Sequence, residues 1–231
     1  MSNIYYEMDK KMVINLENKT YKKITKKNAI LAYEKLNETY QDAKCSLDFT
    51  SPFELVVALI LAAQCTDERV NQIVPLLFQK FPTVEQIANA PIEEIEQIIK
   101  PCGFFKNKAS SIKQSACIVI EKFSGKVPDS MEDLQQLKGI GRKSANIILQ
   151  ECFHHTVGIA VDTHVTRIAR KIGLSNSPTP EKIEQDLMKI FPKNDWYRLN
   201  HILVYHGRAI CIARRPQCDH CPISSLCKKN D

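Results

Sequence analysis

Residues 137–145 have the sequence Leu-Lys-Gly-Ile-Gly-Arg-Lys-Ser-Ala and lie between two segments whose apolar residues have helical spacing. Gly139 and Gly141 allow a tight turn that brings backbone N–H groups close to a ligand. A helix beginning at Arg142 directs the positive end of its dipole to the same side, which suits a phosphate. A plain turn between two helices has the same pattern. A dinucleotide-binding fingerprint is excluded, because no strand precedes the turn and Ser144 takes the third glycine position.

Two potentially reactive side chains follow this turn. Lys143 lies in the first helical turn beside Arg142, where like charge and the helix dipole disfavour the protonated amine and so favour a nucleophile. Asp162 lies in Val161-Asp162-Thr163-His164, at the position of a helix cap. Taken alone, Lys143 also fits a solvated helix residue and Asp162 an ordinary capping residue.

The remaining segments also predict helices. Ser51 and Pro52 fit the cap and first residue of one helix, whose apolar residues continue to Gln64. Asp67 is the expected cap of the next helix, and Glu132 is placed for a capping box. Further helices are expected at 84–90, 92–100, 131–137, 142–152, 163–172, 180–191 and 196–211. No segment alternates convincingly like a strand, and 157–161 is the nearest candidate. The predicted fold class is all-α.

Four cysteines near the C-terminus form the pattern C-x6-C-x2-C-x5-C: Cys211, Cys218, Cys221 and Cys227. Charged neighbours, among them Arg214 and Arg215, are unlike an apolar core, so these thiols are predicted to be metal ligands. The spacing favours an iron–sulfur cluster. A structural zinc ion is an alternative. Zinc sites, however, usually have two closely spaced pairs of cysteines, and this pattern has only one such pair, Cys218 and Cys221. Disulfides are a third alternative, which the odd total of nine cysteines disfavours.

The composition predicts a globular protein with a substantial core. The chain has 231 residues, of which 44% are hydrophobic, enough for one large domain or two small ones. Residues 1–27 are polar and lysine-rich and are expected to form an N-terminal extension, solvated or DNA-contacting. The formal net charge of +6 would fall by about two units with a bound cluster, so it hints only mildly at a polyanionic partner.

The sequence predicts a cytoplasmic location. The first thirteen residues, MSNIYYEMDKKMV, have no apolar core of a signal peptide. The longest apolar run, from Leu55 to Ala63, is about half as long as a membrane span requires. No membrane association is expected, and association with the nucleoid is expected if the source is bacterial.

With these motifs the chain resembles a known family, the endonuclease III branch of the helix-hairpin-helix DNA glycosylases. The resemblance extends from about Ala29 to Cys227. It depends on the four-cysteine pattern and on five stretches in the family order: SPFELVVALILAAQCTD (51–67), GFFKNKA (103–109), LKGIGRKSA (137–145), IAVDTH (159–164) and HGRAIC (206–211).

The resemblance implies two helical lobes and a repair reaction. Residues 45–155 would form a central lobe with the helix-hairpin-helix, and residues 28–44 plus 156–231 would form a lobe whose cysteines hold a [4Fe-4S] cluster. The enzyme would excise oxidised pyrimidines from damaged double-stranded DNA as a monomer. Lys143 would attack C1′ of the sugar, form a Schiff base and cleave the strand 3′ to the abasic site by β-elimination. Asp162 would stabilise positive charge at C1′ or assist proton transfer.

Several DNA contacts are implied as well. Gly139, Gly141 and Arg142 would bind the DNA backbone through the hairpin. Gln64 matches the residue that fills the space left by the flipped nucleotide, although a buried glutamine at a helix end is an alternative. A wedge between bases is implied at Phe104, where leucine is common and a core position is the alternative. Phosphate contacts are implied for Arg214 and Arg215, with simple solvation as the alternative.

The chain departs from the family pattern at four places. Lys138 replaces a usual proline, Ser144 replaces a usual threonine, and the interval between Lys143 and Asp162 is one residue longer than in well-known members. The N-terminal extension is the fourth departure. None removes a reacting group, but together they leave the lesion preference open.

Three other functions fit the sequence less well. An adenine-excising mismatch glycosylase lacks a lysine at the position of Lys143 and usually has a further C-terminal domain. A non-catalytic metal-cluster DNA-binding module would leave Lys143 and Asp162 without a role. A ferredoxin-like electron carrier is disfavoured, because the cysteines occupy a small terminal part of a large helical chain.

Overall fold

A computed structural model describes residues 21–228, and within that range it contains α-helices and short 3-10 turns but no β-strand. The helices are α1 (Lys26–Thr39), α2 (Pro52–Ala62), α3 (Asp67–Lys80), α4 (Val84–Asn89), α5 (Ile92–Ile99), α6 (Phe105–Phe123), α7 (Met131–Leu134), α8 (Arg142–Phe153), α9 (Thr163–Ile172), α10 (Pro180–Ile190) and α11 (Trp196–Ala209). The 3-10 turns are Lys100–Cys102, Lys193–Asp195, Cys218–His220 and Ser224–Leu226. The predicted all-α class is confirmed, and residues 157–161 are an irregular connection rather than a strand.

One predicted helix cap and one predicted capping-box residue are each corrected by one position. Thr66, and not Asp67, caps α3, since the Thr66 side chain accepts a hydrogen bond from the backbone N–H of Arg69. At α7 the Ser130 hydroxyl accepts from the N–H of Asp133 and donates to its carboxylate at 2.8 Å. The third helical residue is therefore Asp133, which takes the place expected for Glu132.

The chain divides into two compact units. One is contiguous and extends from Cys45 to Val157. Its central helix α2 is apolar nearly all round and packs against α3, α6 and α8, so it is buried on every side. Its fully buried side chains include Leu55, Val56, Val57, Ala58 and Leu61.

The other unit combines the described residues up to Lys44 with those from Gly158 onward. Helix α11 packs against α9 and α1, and the shared core includes Ile159, Val165, Ile168, Leu199 and Ile202. Arg198 joins the two sequence segments. Its guanidinium donates hydrogen bonds to the Asn37 side chain and to the carbonyl oxygens of Tyr40, Gln41 and Ala43. These carbonyls follow the end of α1, so a single cation satisfies the polar groups of that turn.

Part of the predicted N-terminal extension is described. Residues 1–20 lie outside the described range, whereas Tyr21 and Asn176 exchange two hydrogen bonds, at 3.2 Å and 2.8 Å. The N–H of Ile24 donates to the carbonyl of Gly173 at 3.1 Å. The chain is therefore attached to its unit several residues before α1 begins.

Among the described residues, no helix is long and apolar enough to span a membrane.

Candidate functional site

The turn between α7 and α8 is anchored by apolar side chains. Leu137 and Ile140 are buried, whereas Lys138 between them is exposed. The carbonyl of Lys138 accepts a hydrogen bond from the Ser115 hydroxyl of α6 at 3.0 Å. Leu137, Ile140 and the hydrogen bond from Ser115 thus anchor the turn to the core, and its two glycines remain exposed.

The two glycines of this turn have different roles. Gly139 has a φ of +83°, a left-handed conformation that favours glycine, and a Cβ there would lie 3.3 Å from the Ile60 side chain. Gly141 is extended and precedes the first residue of α8, and an added Cβ would have no described heavy atom within 4 Å. Glycine has no capping side chain, so no side-chain oxygen at position 141 caps α8, and a helix start of this kind suits an anion.

Lys143 lies on the solvent-facing side of α8. Its side chain is exposed, whereas Ala145, Ile148 and Leu149 on the opposite side are buried. Arg142 is half-buried beside it. The structure therefore places the predicted nucleophile and the predicted backbone contacts on one exposed turn of the contiguous unit.

Asp162 lies in the other unit, where it caps α9. Its Oδ1 accepts a hydrogen bond from the backbone N–H of Val165 at 2.8 Å. The preceding segment is fixed by two buried polar side chains: Glu184 accepts from the N–H of Ile159 at 3.2 Å, and Asn200 donates to the carbonyl of Ala160. The carboxylate is therefore held in place, and it is half-buried.

Gln64 and Phe104 both lie on exposed turns of the contiguous unit. Gln64 follows the end of α2 and has a φ of 56°, and Phe104 precedes α6 with a φ of 47°. A left-handed conformation costs a non-glycine residue about 1–2 kcal/mol, and such residues are frequent at binding sites. The Phe104 side chain is 64% exposed. Neither residue belongs to the core, which had been the alternative interpretation for each.

Lys108 is a residue of this region that the sequence analysis missed. It is buried, and its ammonium donates to the carbonyl oxygens of Leu61 and Cys102, both at 2.8 Å. Burial lowers the pKa of Lys108, and the nearby thiols of Cys65 and Cys102 oppose that shift. Its burial could have been predicted from its spacing, because Lys108 lies four residues before the buried Ile112 and so shares a helical face with it.

The four predicted cysteine ligands line one cavity. The cavity has apolar walls from α9, α11 and the C-terminal segment: Ile168, Ile172, Ile210 and Ile223. One ligand position is fixed by a backbone hydrogen bond, since the Cys211 carbonyl accepts from the Arg167 guanidinium at 2.9 Å. The Cys227 thiol donates to the Lys171 carbonyl at 3.4 Å, a contact that it would give up as a thiolate ligand.

This donor set fits an iron–sulfur cluster. In a cubane each of four iron atoms takes one thiolate, whereas a zinc ion requires all four sulfurs about 2.3 Å from one point. Four thiols around one apolar cavity therefore match the larger group.

His206 is a second residue that the sequence analysis did not assign. It is buried, its Nε2 lies 3.7 Å from the sulfur of Cys221, and its Nδ1 lies 3.0 Å from the hydroxyl of Tyr40. Burial, with a smaller effect of the Arg167 charge, lowers the pKa of His206 to about 4. The ring is therefore neutral near pH 7, and one consistent tautomer donates from Nε2 to sulfur and accepts from Tyr40. The sequence feature that could have indicated a role for His206 is its position in the HGRAIC stretch, which ends at Cys211.

Arg214 and Arg215 lie in the loop between the first two of these cysteines. Both side chains are exposed. Their position leaves the guanidinium groups open to a partner, and the predicted phosphate contact stays a prediction.

Two family models match this chain. Residues 57–193 match the HhH-GPD superfamily base excision DNA repair protein model, and residues 211–227 match the iron-sulfur binding domain of endonuclease III. The second match covers the four-cysteine segment and confirms the predicted [4Fe-4S] cofactor.

Relatives and solved structures agree with these models. The endonuclease III of Synechocystis sp. is 45% identical over 192 residues, which are 83% of this chain and 88% of the relative. A non-covalent endonuclease III–DNA complex has a TM-score of 0.85 and 37% identity, covering 89% of this chain and 96% of that one. A trapped endonuclease III–DNA covalent intermediate also has a TM-score of 0.85 and 37% identity, covering 89% and 97%. The chain therefore belongs to the endonuclease III family of the HhH-GPD superfamily.

Proposed function

We propose that this protein is a bifunctional DNA glycosylase and AP lyase of base excision repair that excises oxidised pyrimidines from duplex DNA. The observation that carries the proposal is the exposed Lys143 amine, directly after the open glycine turn at the start of α8. A relative of the same fold has been trapped as a covalent intermediate with DNA, which is the chemistry that a lysine nucleophile performs.

The reaction begins with the neutral amine of Lys143. Its nitrogen bonds to C1′ of the flipped nucleotide, the bond from C1′ to the base breaks, and the base departs with the electron pair and is then protonated. The nitrogen then gives one proton to solvent, the bond from C1′ to the ring oxygen breaks, and that oxygen takes a proton. The lone pair of the nitrogen forms the second bond to C1′, which leaves a protonated imine that makes the C2′ proton acidic. Loss of a proton from C2′ then expels the 3′ phosphate, which cleaves the strand.

Asp162 is proposed to stabilise the positive charge that develops at C1′. Its Oδ1 accepts a hydrogen bond from the Val165 N–H, and this bond holds the carboxylate in one position. The carboxylate still provides the negative charge that the proposed role requires. A fixed charge needs no reorganisation when the transition state forms.

The DNA contacts are proposed to come from exposed turns. The N–H groups at Gly139 and Gly141, together with Arg142, bind a phosphate, and Arg214 and Arg215 bind others. Gln64 and Phe104 enter the space near the extruded nucleotide, because both are exposed and held by left-handed backbone. Damaged double-stranded DNA is the proposed partner and the monomer the proposed form. The cytoplasmic location and the association with the nucleoid also stay predictions.

The cluster is proposed to be held by the predicted set of four: Cys211, Cys218, Cys221 and Cys227. When bound, it joins four points of the C-terminal segment through iron–thiolate bonds. The chain's own contribution is to fix the first of those points, because the Arg167 guanidinium donates a hydrogen bond to the Cys211 carbonyl.

Borohydride trapping tests the proposed chemistry. The native protein should give a covalent adduct with duplex DNA that contains an abasic site or an oxidised pyrimidine. Lys143→Gln keeps side-chain length and helix propensity but removes the amine, so folding and cluster content should persist while trapping and strand cleavage disappear together. Lys138→Gln removes a charge from the same turn and should still be trapped at saturating protein.

Two outcomes would contradict the proposal. An undiminished adduct in Lys143→Gln would place the nucleophile elsewhere. No adduct in the native protein would favour a monofunctional glycosylase or a binding module.

A further inference from the structure

A buried cation joins the two exposed left-handed turns of the contiguous unit. Lys108 is 5% exposed, and its ammonium donates hydrogen bonds of 2.8 Å to the carbonyl oxygens of Leu61 and Cys102. Leu61 lies three residues before Gln64, and Cys102 lies two residues before Phe104. One ammonium therefore contacts the backbone that leads into each of these two exposed residues.

The first contact fixes the start of the Gln64 turn, residues 62–65. Leu61 is the last residue but one of α2, and the final carbonyl groups of a helix have no partner within the helix. The negative end of the helix dipole also favours a cation at this position. Within the turn, the N–H of Cys65 donates to the carbonyl of Ala62 at 3.2 Å. The backbone is thus hydrogen-bonded on both sides of Gln64.

The Phe104 turn, residues 102–104, is held by Lys108 at two points. The ammonium contacts the carbonyl of Cys102, and the backbone N–H of Lys108 donates to the carbonyl of Phe104 at 3.1 Å. Gly103 between these carbonyls has a φ of +70°, a conformation that favours glycine. The Phe104 side chain is 64% exposed, so it leaves a fixed backbone and enters solvent.

We propose that Lys108 is a positioning residue for nucleotide extrusion, and that it joins the Gln64 turn and the Phe104 turn into one rigid unit that enters the DNA stack together. The inference rests on the proposed function, in which Gln64 and Phe104 lie near the extruded nucleotide. The two carbonyl oxygens share one nitrogen, so they lie no further apart than twice 2.8 Å.

The burial of the cation makes this linkage stiff. A buried ammonium that loses one of its carbonyl contacts is left partly unsatisfied, which costs more than the loss of a neutral hydrogen bond. Separation of the two turns is therefore disfavoured when they meet the DNA. Turns that are already held together need not be ordered on binding, so more of the binding free energy is available for extrusion.

Stopped-flow fluorescence tests this role. A 2-aminopurine beside an oxidised pyrimidine becomes brighter when its neighbour leaves the stack, and Lys108→Met should slow this change and single-turnover excision about 10- to 100-fold. Lys108→Arg keeps a cation with several donors and should recover part of the loss. Cleavage at an abasic site in single-stranded DNA needs no extrusion, so in Lys108→Met it should stay within about threefold of native.

Ile87→Ala is the control for lost stability. Ile87 is fully buried on α4, which contains neither turn, and its truncation should destabilise the same unit by leaving a cavity. All proteins are compared at a temperature at which circular dichroism shows them to be folded. Ile87→Ala should extrude the nucleotide at the native rate. If it slows extrusion as much as Lys108→Met does, the positioning role is wrong.

A second measurement needs no folded variant at position 108. Gln64→Ala and Phe104→Ala truncate exposed side chains, so both variants and their combination should fold. If the two turns act as one unit, the combined loss of affinity for lesion-containing duplex should differ at least about threefold from the product of the single losses. A combined loss within about twofold of that product would contradict the linkage.

The outcomes separate this inference from the proposed function. Native extrusion rates in Lys108→Met, together with borohydride trapping of the native protein, would overturn the positioning role and leave the proposed function intact. A native protein that shows neither trapping nor a fluorescence change would overturn the proposed function and this inference with it.

Discussion

The carboxylate of Asp162 accepts a hydrogen bond from the backbone N–H of Val165 at 2.8 Å, and through it the first turn of α9 is capped. A cap requires an acceptor oxygen, which an amide supplies as well as a carboxylate. The proposed role at C1′ requires negative charge, which an amide lacks. The structural and chemical roles of one side chain can therefore be separated by a single substitution.

Asp162→Asn should leave the free energy of unfolding within about 0.5 kcal/mol of the native value, because asparagine caps as well as aspartate. Base excision should fall about 100- to 1000-fold, since a fixed charge at the transition state is lost. Urea denaturation and single-turnover excision measure the two effects. Asp162→Ala is the reference variant, because it should also lose about 1 kcal/mol of stability. Normal excision by a folded Asp162→Asn variant would leave Asp162 with a capping role alone.

Phe104→Ala should weaken binding to lesion-containing duplex more than binding to undamaged duplex. The side chain is 64% exposed, so its loss should change stability little, whereas a wedge acts mainly when a nucleotide has left the stack. Leu76→Ala, which truncates a 52% exposed side chain on α3, is the matched control. Fluorescence anisotropy on both duplexes measures the difference, and equal losses on the two would argue against a wedge.

Lys108→Met should lower the free energy of unfolding by about 2–4 kcal/mol. The substitution keeps an unbranched side chain but leaves the carbonyls of Leu61 and Cys102 without this donor. Lys106→Met changes an exposed lysine on the same helix and should stay within about 0.5 kcal/mol of native. Urea unfolding measures both, and similar stabilities would show that the ammonium contacts add nothing net.

Arg214→Ala and Arg215→Ala should each reduce the slope of log K against log salt by about one unit on lesion and undamaged duplex alike. Both side chains are exposed in the loop after Cys211, so folding should be unaffected. Lys182→Ala, an exposed lysine on α10 outside the predicted contacts, should leave the slope unchanged. A loss of affinity with an unaltered slope would argue against phosphate contact.

Metal analysis should find about four iron and four sulfide per chain in anaerobically purified protein. Cys221→Ser should lower the iron content and the visible absorbance, because it removes one thiol from the lined cavity. Cys117→Ser leaves the four-cysteine set intact and should retain both. One zinc with no sulfide would be the contrary result.

The sequence allowed the helical class, the family and the cofactor to be predicted, because each depends on local spacing. Ser51 and Asp162 were expected as caps, and both side chains accept a backbone N–H of the first helical turn. The left-handed backbone of Gln64 and Phe104 could not be predicted, because no glycine or asparagine marks either position. Contacts between residues that are far apart in the sequence could not be predicted either.

Lys108 shows the physical reason for that limit. A lysine is normally solvated, and its burial follows from two carbonyls that come from distant parts of the chain.

The discontinuous unit imposes an order on folding during synthesis. Residues 45–157 can fold as soon as they have left the ribosome, because their unit is contiguous. Helix α1, by contrast, waits for Arg198, whose bond to Asn37 joins residues 161 positions apart. The unit that contains the four-cysteine segment is thus completed last. Until then α1 exposes its apolar side, including Leu36, which is buried in the folded protein. During this interval of translation the nascent chain is most exposed to chaperones, proteases and aggregation.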